Sequence, residues 1–421
     1  MSVTGPSPPI EPDNSELTSW VKNDNPKHLS FPVHGRHVVT CLLITSRGRV
    51  VSAGDDAEIY VYSLSTGKQI HSLKGHEGGV WTVKAYKETL VSGSTDKTVR
   101  VWDLKTGNCM HVFGGHTNTV RCLEVVRPEE VDWTDEDGVR RRECWPKEPL
   151  IVSGSRDYTL RVWTLPKRGE AEYRCSKTKD LSDEDTTKNP YYRFVLEGHE
   201  HAVRALDARG RIAVSGSYDN TVCIWDIITG KCKWVLAGHT QKVYSAVLDL
   251  ERDQVYSGSL DSTVRIWSVT TGECIHTLLG HTSLVGLLGI SSSYLASASA
   301  DATVRIWNPE TGELQHVLQS SHNGPITCFQ HDDFKVLSGS DGSLRMWDVK
   351  TGSFVKDLLN VIHGVWQVAF KGRWCVAASN RADHTMLDIW DFSRTALEGE
   401  ESGDVEDSFS VSSDEEDETE D

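Results

Sequence analysis

Residues 75–113 read GHEGGVWTVKAYKETLVSGSTDKTVRVWDLKTGNCMHVF. Four short segments in this stretch (VWTVKA, TLVSGS, TVRVWD and CMHVF) alternate apolar and polar positions or run apolar, and turn residues such as K-T-G separate them. Period-two segments bounded by turns predict four strands of an antiparallel sheet. The unit recurs, with its closing aromatic at Tyr62, Trp102, Trp163, Trp225, Trp267, Trp307, Trp347 and Trp390. Successive steps are 40, 61, 62, 42, 40, 40 and 43 residues. A period of about 40 with four strands is that of one propeller blade, two of these units having grown by about twenty residues each. The pattern therefore predicts an all-β chain, a single eight-bladed β-propeller with four antiparallel strands per blade, over residues 28–394. Charged insertions at about 127–149 and 166–193 are expected as mobile loops.

Composition adds the ends. From Leu397 onward stand thirteen Asp/Glu and no Lys/Arg, so the tail holds −13 of the formal −17 and leaves −4 for the rest. Such a run reads as an acidic disordered tail over 395–421, in which Ser412 and Ser413 before DEED are candidate phosphorylation sites. A nearly balanced remainder gives no electrostatic case for nucleic-acid binding. Residues 1–27, with five prolines, read as a disordered leader. No apolar run approaches the ~18–20 residues of a membrane span, and the N-terminus lacks the basic start and apolar stretch of a signal peptide. An intracellular protein is expected. The ten cysteines form no C-x-x-C pair and read as reduced core thiols, not metal ligands. No cofactor is called for.

The polar residues repeat with the strands. His76, Ser92, Asp96 and Trp102 have counterparts at His116, Ser153, Asp157 and Trp163, and at His199, Ser215, Asp219 and Trp225. A catalytic triad is needed once, whereas this set recurs in unit after unit, which assigns it to a buried hydrogen-bonded framework. G-H, S-G-S-x-D and V-R-V-W-D together resemble the WD40 repeat family over about residues 28–394. The resemblance implies blades closed into a ring, with HLSFPVHG supplying the outer strand of the last one.

Arginines divide into two sets against that framework. Arg161 stands two residues before its tryptophan, as Arg100, Arg265, Arg305 and Arg345 do, and belongs to the repeat. Arg156 stands just before its turn aspartate, where other units carry Asp55, Thr95, Tyr218, Leu260, Ala300 and Ser340. The fold does not demand arginine there. The entrance to the first strand and the turn between the second and third strands lie at one end of an antiparallel blade. Residues following the first-strand valine or isoleucine at that end are Val39, Trp81, Arg121, Arg204, Tyr244, Gly286, Thr327 and Trp366. Those preceding it include His37, Gly79, Thr119, Ala202, Lys242, Leu284 and Pro325. Arg121, Arg156 and Arg204 thus fall on one face of neighbouring blades, with Lys97 and Lys242 on the flanking ones. Guanidinium forks match phosphate oxygens, so the cluster suits a multiply bonded dianion ringed by Trp81, Tyr218, Tyr244, Leu284 and Trp366. The competing reading is an ordinary surface on which these arginines pair with local carboxylates.

The strings GGVWTV, HVFGGHTNTVRCL, IVSGSRDYTLRVW, VSGSYDNTV and GHTSLVGLL are similar to those of the F-box/WD-repeat substrate receptors of SCF ubiquitin ligases. That resemblance implies a phosphodegron reader in which Arg121, Arg156 and Arg204, with Thr95, Thr119 and Lys97, hold a phosphothreonine. Trp81, Leu284 and Trp366 would receive hydrophobic residues preceding it, and Tyr218 and Tyr244 the proline after it, with Lys242 in the same peptide pocket. It further implies phosphorylated protein substrates as partners, a non-catalytic role in ubiquitin-dependent degradation linked to the cell cycle, and a nuclear as well as cytoplasmic location. The family carries an F-box before the propeller, and here about 27 polar residues precede it without a helical apolar period. Contact with an SCF adaptor is therefore expected only through a separate or missing F-box. A phosphoprotein-sequestering paralogue, or a WD40 scaffold indifferent to phosphorylation, is the alternative. An enzyme ranks last, because no unrepeated nucleophile, metal-ligand spacing or phosphate-cradling glycine loop is present.

Overall fold

The computed structural model describes residues 20–393 apart from 22, 24, 135–139, 176–187 and 320–323. Ser412, Ser413 and the acidic tail lie outside the described residues. Eight four-stranded antiparallel sheets form the blades. Blade 2 is representative, with strands Val80–Tyr86, Thr89–Ser94, Val99–Asp103 and Cys109–Phe113 counted from the axis outward. Its second strand is wholly buried, as a strand covered on both faces must be, while the first and outer strands are buried in part. The first strands begin at Val39, Val80, Val120, Val203, Val243, Val285, Ile326 and Gly364 in blades 1 to 8. Each packs on its neighbours, and that of blade 1 meets that of blade 8 to close the ring. Lys27–Pro32 completes blade 8 by pairing antiparallel with His384–Asp391, as expected.

The apolar core is divided into clusters between adjacent blades. Val51, Ala53, Ile59 and Leu73 of blade 1, for instance, meet Val80, Val83, Leu90 and Trp102 of blade 2. Close approach depends on the glycine of S-G-S: a Cβ on Gly93 would lie 2.6 Å from Val120 Cγ1, and one on Gly216 2.6 Å from Val243 Cγ1, each in the next blade.

Three expectations are corrected. The leader does not run to residue 27, because Trp20 is wholly buried, stacks on Phe392 at 3.9 Å and donates its Nε1–H to Gly372 O at 3.2 Å. The first insertion contains an antiparallel hairpin, Glu129–Thr134 with Arg140–Trp145, anchored by an ion pair of 3.0 Å between Glu129 and Arg209. In the second, Val112 of blade 2 bonds Tyr173 and Cys175 through the backbone. Both insertions leave from the end of blade 3 opposite the arginine-bearing end. Cys144, Cys232 and Cys274 are exposed, so not all the thiols are core residues. No helix among the described residues is long and apolar enough to cross a membrane.

Candidate functional site

One irregularity repeated in every blade builds the site. The pairing of first and second strands slips by one residue between Val80 and Thr82, Val120 and Cys122, Val203 and Ala205, Val243 and Ser245, and Val365 and Gln367. The extra residue at each bulge is Trp81, Arg121, Arg204, Tyr244 or Trp366. A bulge leaves its residue outside the ladder and re-aims its side chain, so these positions are free to vary. Beside each bulge, the first turn residue donates its N–H to the residue before the strand valine: Thr95 to Gly79, Arg156 to Thr119, Tyr218 to Ala202, Leu260 to Lys242 and Ala300 to Leu284, at 2.9–3.0 Å. Both variable positions are thereby held side by side around the axial mouth.

The register corrects two placements. In blade 1 the slip falls between Val39 and Cys41, so Thr40 and not Val39 is the bulge residue, and Val38 stands where His37 was expected. In blade 7 Ser340 pairs with Ile326 as Ser155 pairs with Val120. Asp341, not Ser340, therefore occupies the place of Arg156.

The cations and aromatics interleave. Arg121 lies over the Trp81 ring at 4.2 Å, Arg204 over Tyr244 at 5.8 Å and Lys242 over Tyr218 at 4.9 Å, while the Tyr218 and Tyr244 rings are 5.1 Å apart. Burial first, and then the like charge of Arg204, push the Arg121 guanidinium down to about 10. Arg156 is exposed at its turn. Among the described residues no carboxylate pairs with Arg121, Arg156, Arg204, Lys97 or Lys242. At the opposite face, by contrast, Arg49, Arg211 and Arg252 are paired with Glu88, Asp226 and Asp249 at 2.7–2.9 Å. The reading of an ordinary paired surface does not describe the cluster.

Not every candidate joins it. Lys97 is exposed at φ 71°, one residue beyond the turn aspartate and so two beyond the place that Arg156 holds in blade 3. Thr95 and Thr119 stand at mouth positions, and Leu284 does so across the mouth in blade 6. Trp366 is partly buried, its Nε1 enclosed without a hydrogen-bond partner. Two mouth residues escaped the sequence reading. The Tyr158 ring, 45% exposed, lies 5.5 Å from that of His201, which is 5.8 Å from Tyr218. Tyr158 occupies the same left-handed turn position as Lys97, with φ 77°, and its aromatic character in so exposed a place was the available signal.

The repeated polar set is structural. In blade 2, Trp102 donates to Ser92 Oγ at 2.8 Å, Ser92 meets His76 Nε2 at 2.7 Å, and His76 Nδ1 meets Asp96 at 2.7 Å. The consistent assignment is Trp N–H to serine oxygen, serine O–H to Nε2, and Nδ1–H to carboxylate, with a neutral histidine. Burial lowers the His76 pKa, and the bonds from His76 and Thr98 hold Asp96 well below the usual carboxylate range against burial. Blades 3 to 6 repeat the histidine–aspartate bond at 2.8 Å. Deeper in the channel Lys84 pairs with Glu124, and burial raises Glu124 to about 6 and raises Asp207 as well.

A family model described as "WD domain, G-beta repeat" matches residues 67–103, 134–164, 191–226, 230–268, 272–308 and 312–348. The chain belongs to the WD40 repeat family. This WD40 chain is homologous to cell division control protein 4 of Candida albicans, 44% identical over 380 residues, which are 89% of the chain and 54% of that protein. The protein of the same name from Saccharomyces cerevisiae is 37% identical over 54% of the chain and 27% of its own length. WD repeat-containing protein pop2 of Schizosaccharomyces pombe is 41% identical over 54% of the chain and 31% of its own length. The chain thus spans about half, or less, of these relatives. Among solved structures, the computationally designed Ika8 protein superposes with a TM-score of 0.67 at 26% identity, covering 86% of this chain and 98% of that one.

Proposed function

We propose that this WD40 propeller binds phosphothreonine-proline segments and serves as the substrate-recognition domain of an SCF-type ubiquitin ligase. One observation carries the reading: Arg121, Arg156 and Arg204 stand around one mouth without carboxylate partners among the described residues, two of them against aromatic rings. Unpaired like charges cost stability, and a phosphate dianion supplies the missing countercharge. Arg121 and Arg204 would bind it from the bulges and Arg156 from the turn, while the tilted pair of Tyr218 and Tyr244 would receive proline and Trp81, Leu284 and Trp366 apolar residues on the other side. Charge-assisted hydrogen bonds contribute about 1.5–3 kcal/mol each, so two or three of them separate phosphorylated from unmodified peptide by well over tenfold. The ligase role draws on the homology to cell division control protein 4, and adaptor contact is assigned to sequence beyond the propeller.

The test is the affinity of the purified chain for a Leu-Leu-phosphothreonine-Pro peptide, its unphosphorylated twin, and the Arg156→Ala protein with both. Binding is expected to need both the phosphate and Arg156, with the unfolding midpoint unchanged by the substitution. Equal affinity for the two peptides would sink the proposal and leave a scaffold whose contacts ignore phosphorylation.

A further inference from the structure

The S-G-S-D turn of blade 7 lacks the residue that separates serine from aspartate in blades 2 to 6, so its aspartate, Asp341, stands one position earlier and takes no part in the framework among the described residues. In blades 2 to 6 the turn aspartates Asp96, Asp157, Asp219, Asp261 and Asp301 each accept from a histidine Nδ1–H and from the backbone N–H two residues on. The Asp341 carboxylate does neither. It is exposed, and among the described residues it accepts no hydrogen bond and meets no cation. Each of its oxygens faces a glycine: a Cβ on Gly324 would lie 3.1 Å from Oδ2, and one on Gly364 3.2 Å from Oδ1. The absence of both side chains leaves the carboxylate open to an incoming group.

Its position gives that openness a direction. The blade 7 register places Asp341 at the mouth position that Arg156 holds in blade 3. In a ring of eight blades, the third and seventh face each other across the axis. The mouth is therefore electrically polar: among the described residues, blades 3 to 5 hold cations without carboxylate partners and blade 7 an anion without a cation, with Gly364 of blade 8 against that anion.

We propose that Asp341 is a specificity-determining residue that receives a lysine or arginine placed upstream of the phosphothreonine. The inference rests on the phosphopeptide reading, which sets the chain direction: apolar residues precede the phosphate on the Trp366 side. Extended peptide advances about 3.3–3.6 Å per residue, so a basic residue roughly three to five positions upstream stands about 10–18 Å from the phosphothreonine, beyond the two apolar neighbours. The preferred substrate is then a short segment with a cationic and a dianionic end, and acidic residues upstream are repelled.

Phosphopeptides with lysine, glutamine or glutamate at the third, fourth and fifth upstream positions test it, against the wild-type chain, Asp341→Asn and Asp341→Lys. At one of these positions lysine is expected to bind about two- to fivefold more tightly than glutamate in the wild type, the range of an exposed ion pair. The ratio should fall to about one in Asp341→Asn and invert in Asp341→Lys. A lysine preference that persists unchanged in Asp341→Asn, or that is absent from the wild type at all three positions, overturns the inference while leaving phosphate dependence intact. Loss of phosphate dependence itself overturns both this and the reading beneath it.

Discussion

Replacing Arg121 by methionine should make the unliganded protein more stable while removing its affinity for phosphopeptide. The Arg121 guanidinium is held at about 10 instead of 12.5, by burial first and by Arg204 second. At 1.36 kcal/mol per pH unit, that displacement corresponds to about 3 kcal/mol, and because guanidinium does not give up its proton the cost falls on the folded state. Contact with the Trp81 ring at 4.2 Å returns part of it, about 1 kcal/mol for a cation over an indole. Methionine keeps an unbranched apolar side chain against Trp81 and discards the charge. The Arg121→Met protein is thus expected to gain about 1–2 kcal/mol in urea unfolding in phosphate-free buffer, at unchanged m-value. Its phosphopeptide affinity should drop at least tenfold. A loss of more than about 1 kcal/mol in the same titration would show that Arg121 is a framework residue and would refute the argument.

Ser92→Ala strands the Trp102 N–H and His76 Nε2 together in a buried place, and should lower stability by about 2–4 kcal/mol, measurable as an earlier unfolding midpoint with phosphopeptide affinity retained. Lys84→Met leaves Glu124 and Asp207 facing each other in the channel without their cation. It should cost about 3–5 kcal/mol at pH 7.5 and recover as the pH falls and the carboxyls take up protons. For the wild type the sign runs the other way: burial lowers His76, His116, His239 and His281, so these stay neutral in the fold while their unfolded counterparts protonate near 6.5. Their stabilisation is complete above that pH and is lost as it falls, partly offset by Glu124; an unfolding midpoint that does not move between pH 7.5 and 5.5 would contradict it.

The fold was legible because its constraints repeat. Forty-residue spacing of the closing aromatic and the recurring serine, histidine and aspartate sufficed to place eight blades, their ring closure by Lys27–Pro32 and the framework role of His76, Ser92, Asp96 and Trp102. What the sequence hid were features that depend on a single residue's register or on contacts between distant segments. Thr40 and Asp341 were displaced by one position because a bulge and a shortened turn are invisible in a pattern of apolar residues. Trp20 was lost among prolines, since its burial depends on Phe392 and Lys335 far along the chain.

The site is accessible to sequence reasoning for the opposite reason. A propeller fixes the strand residues of each blade and exempts the bulge and the first turn residue, so those positions record what the mouth must meet and little else. Thr40, Trp81, Arg121, Arg204, Tyr244, Gly286, Thr327 and Trp366 share one backbone geometry and almost no chemistry. Packing alone does not select arginine at three of these exempt places in two adjacent blades, because each added charge makes the next less favourable to hold. An external anion removes that penalty, and the same reasoning applied to blade 7 makes the uncommitted carboxylate of Asp341 as informative as the arginines opposite it.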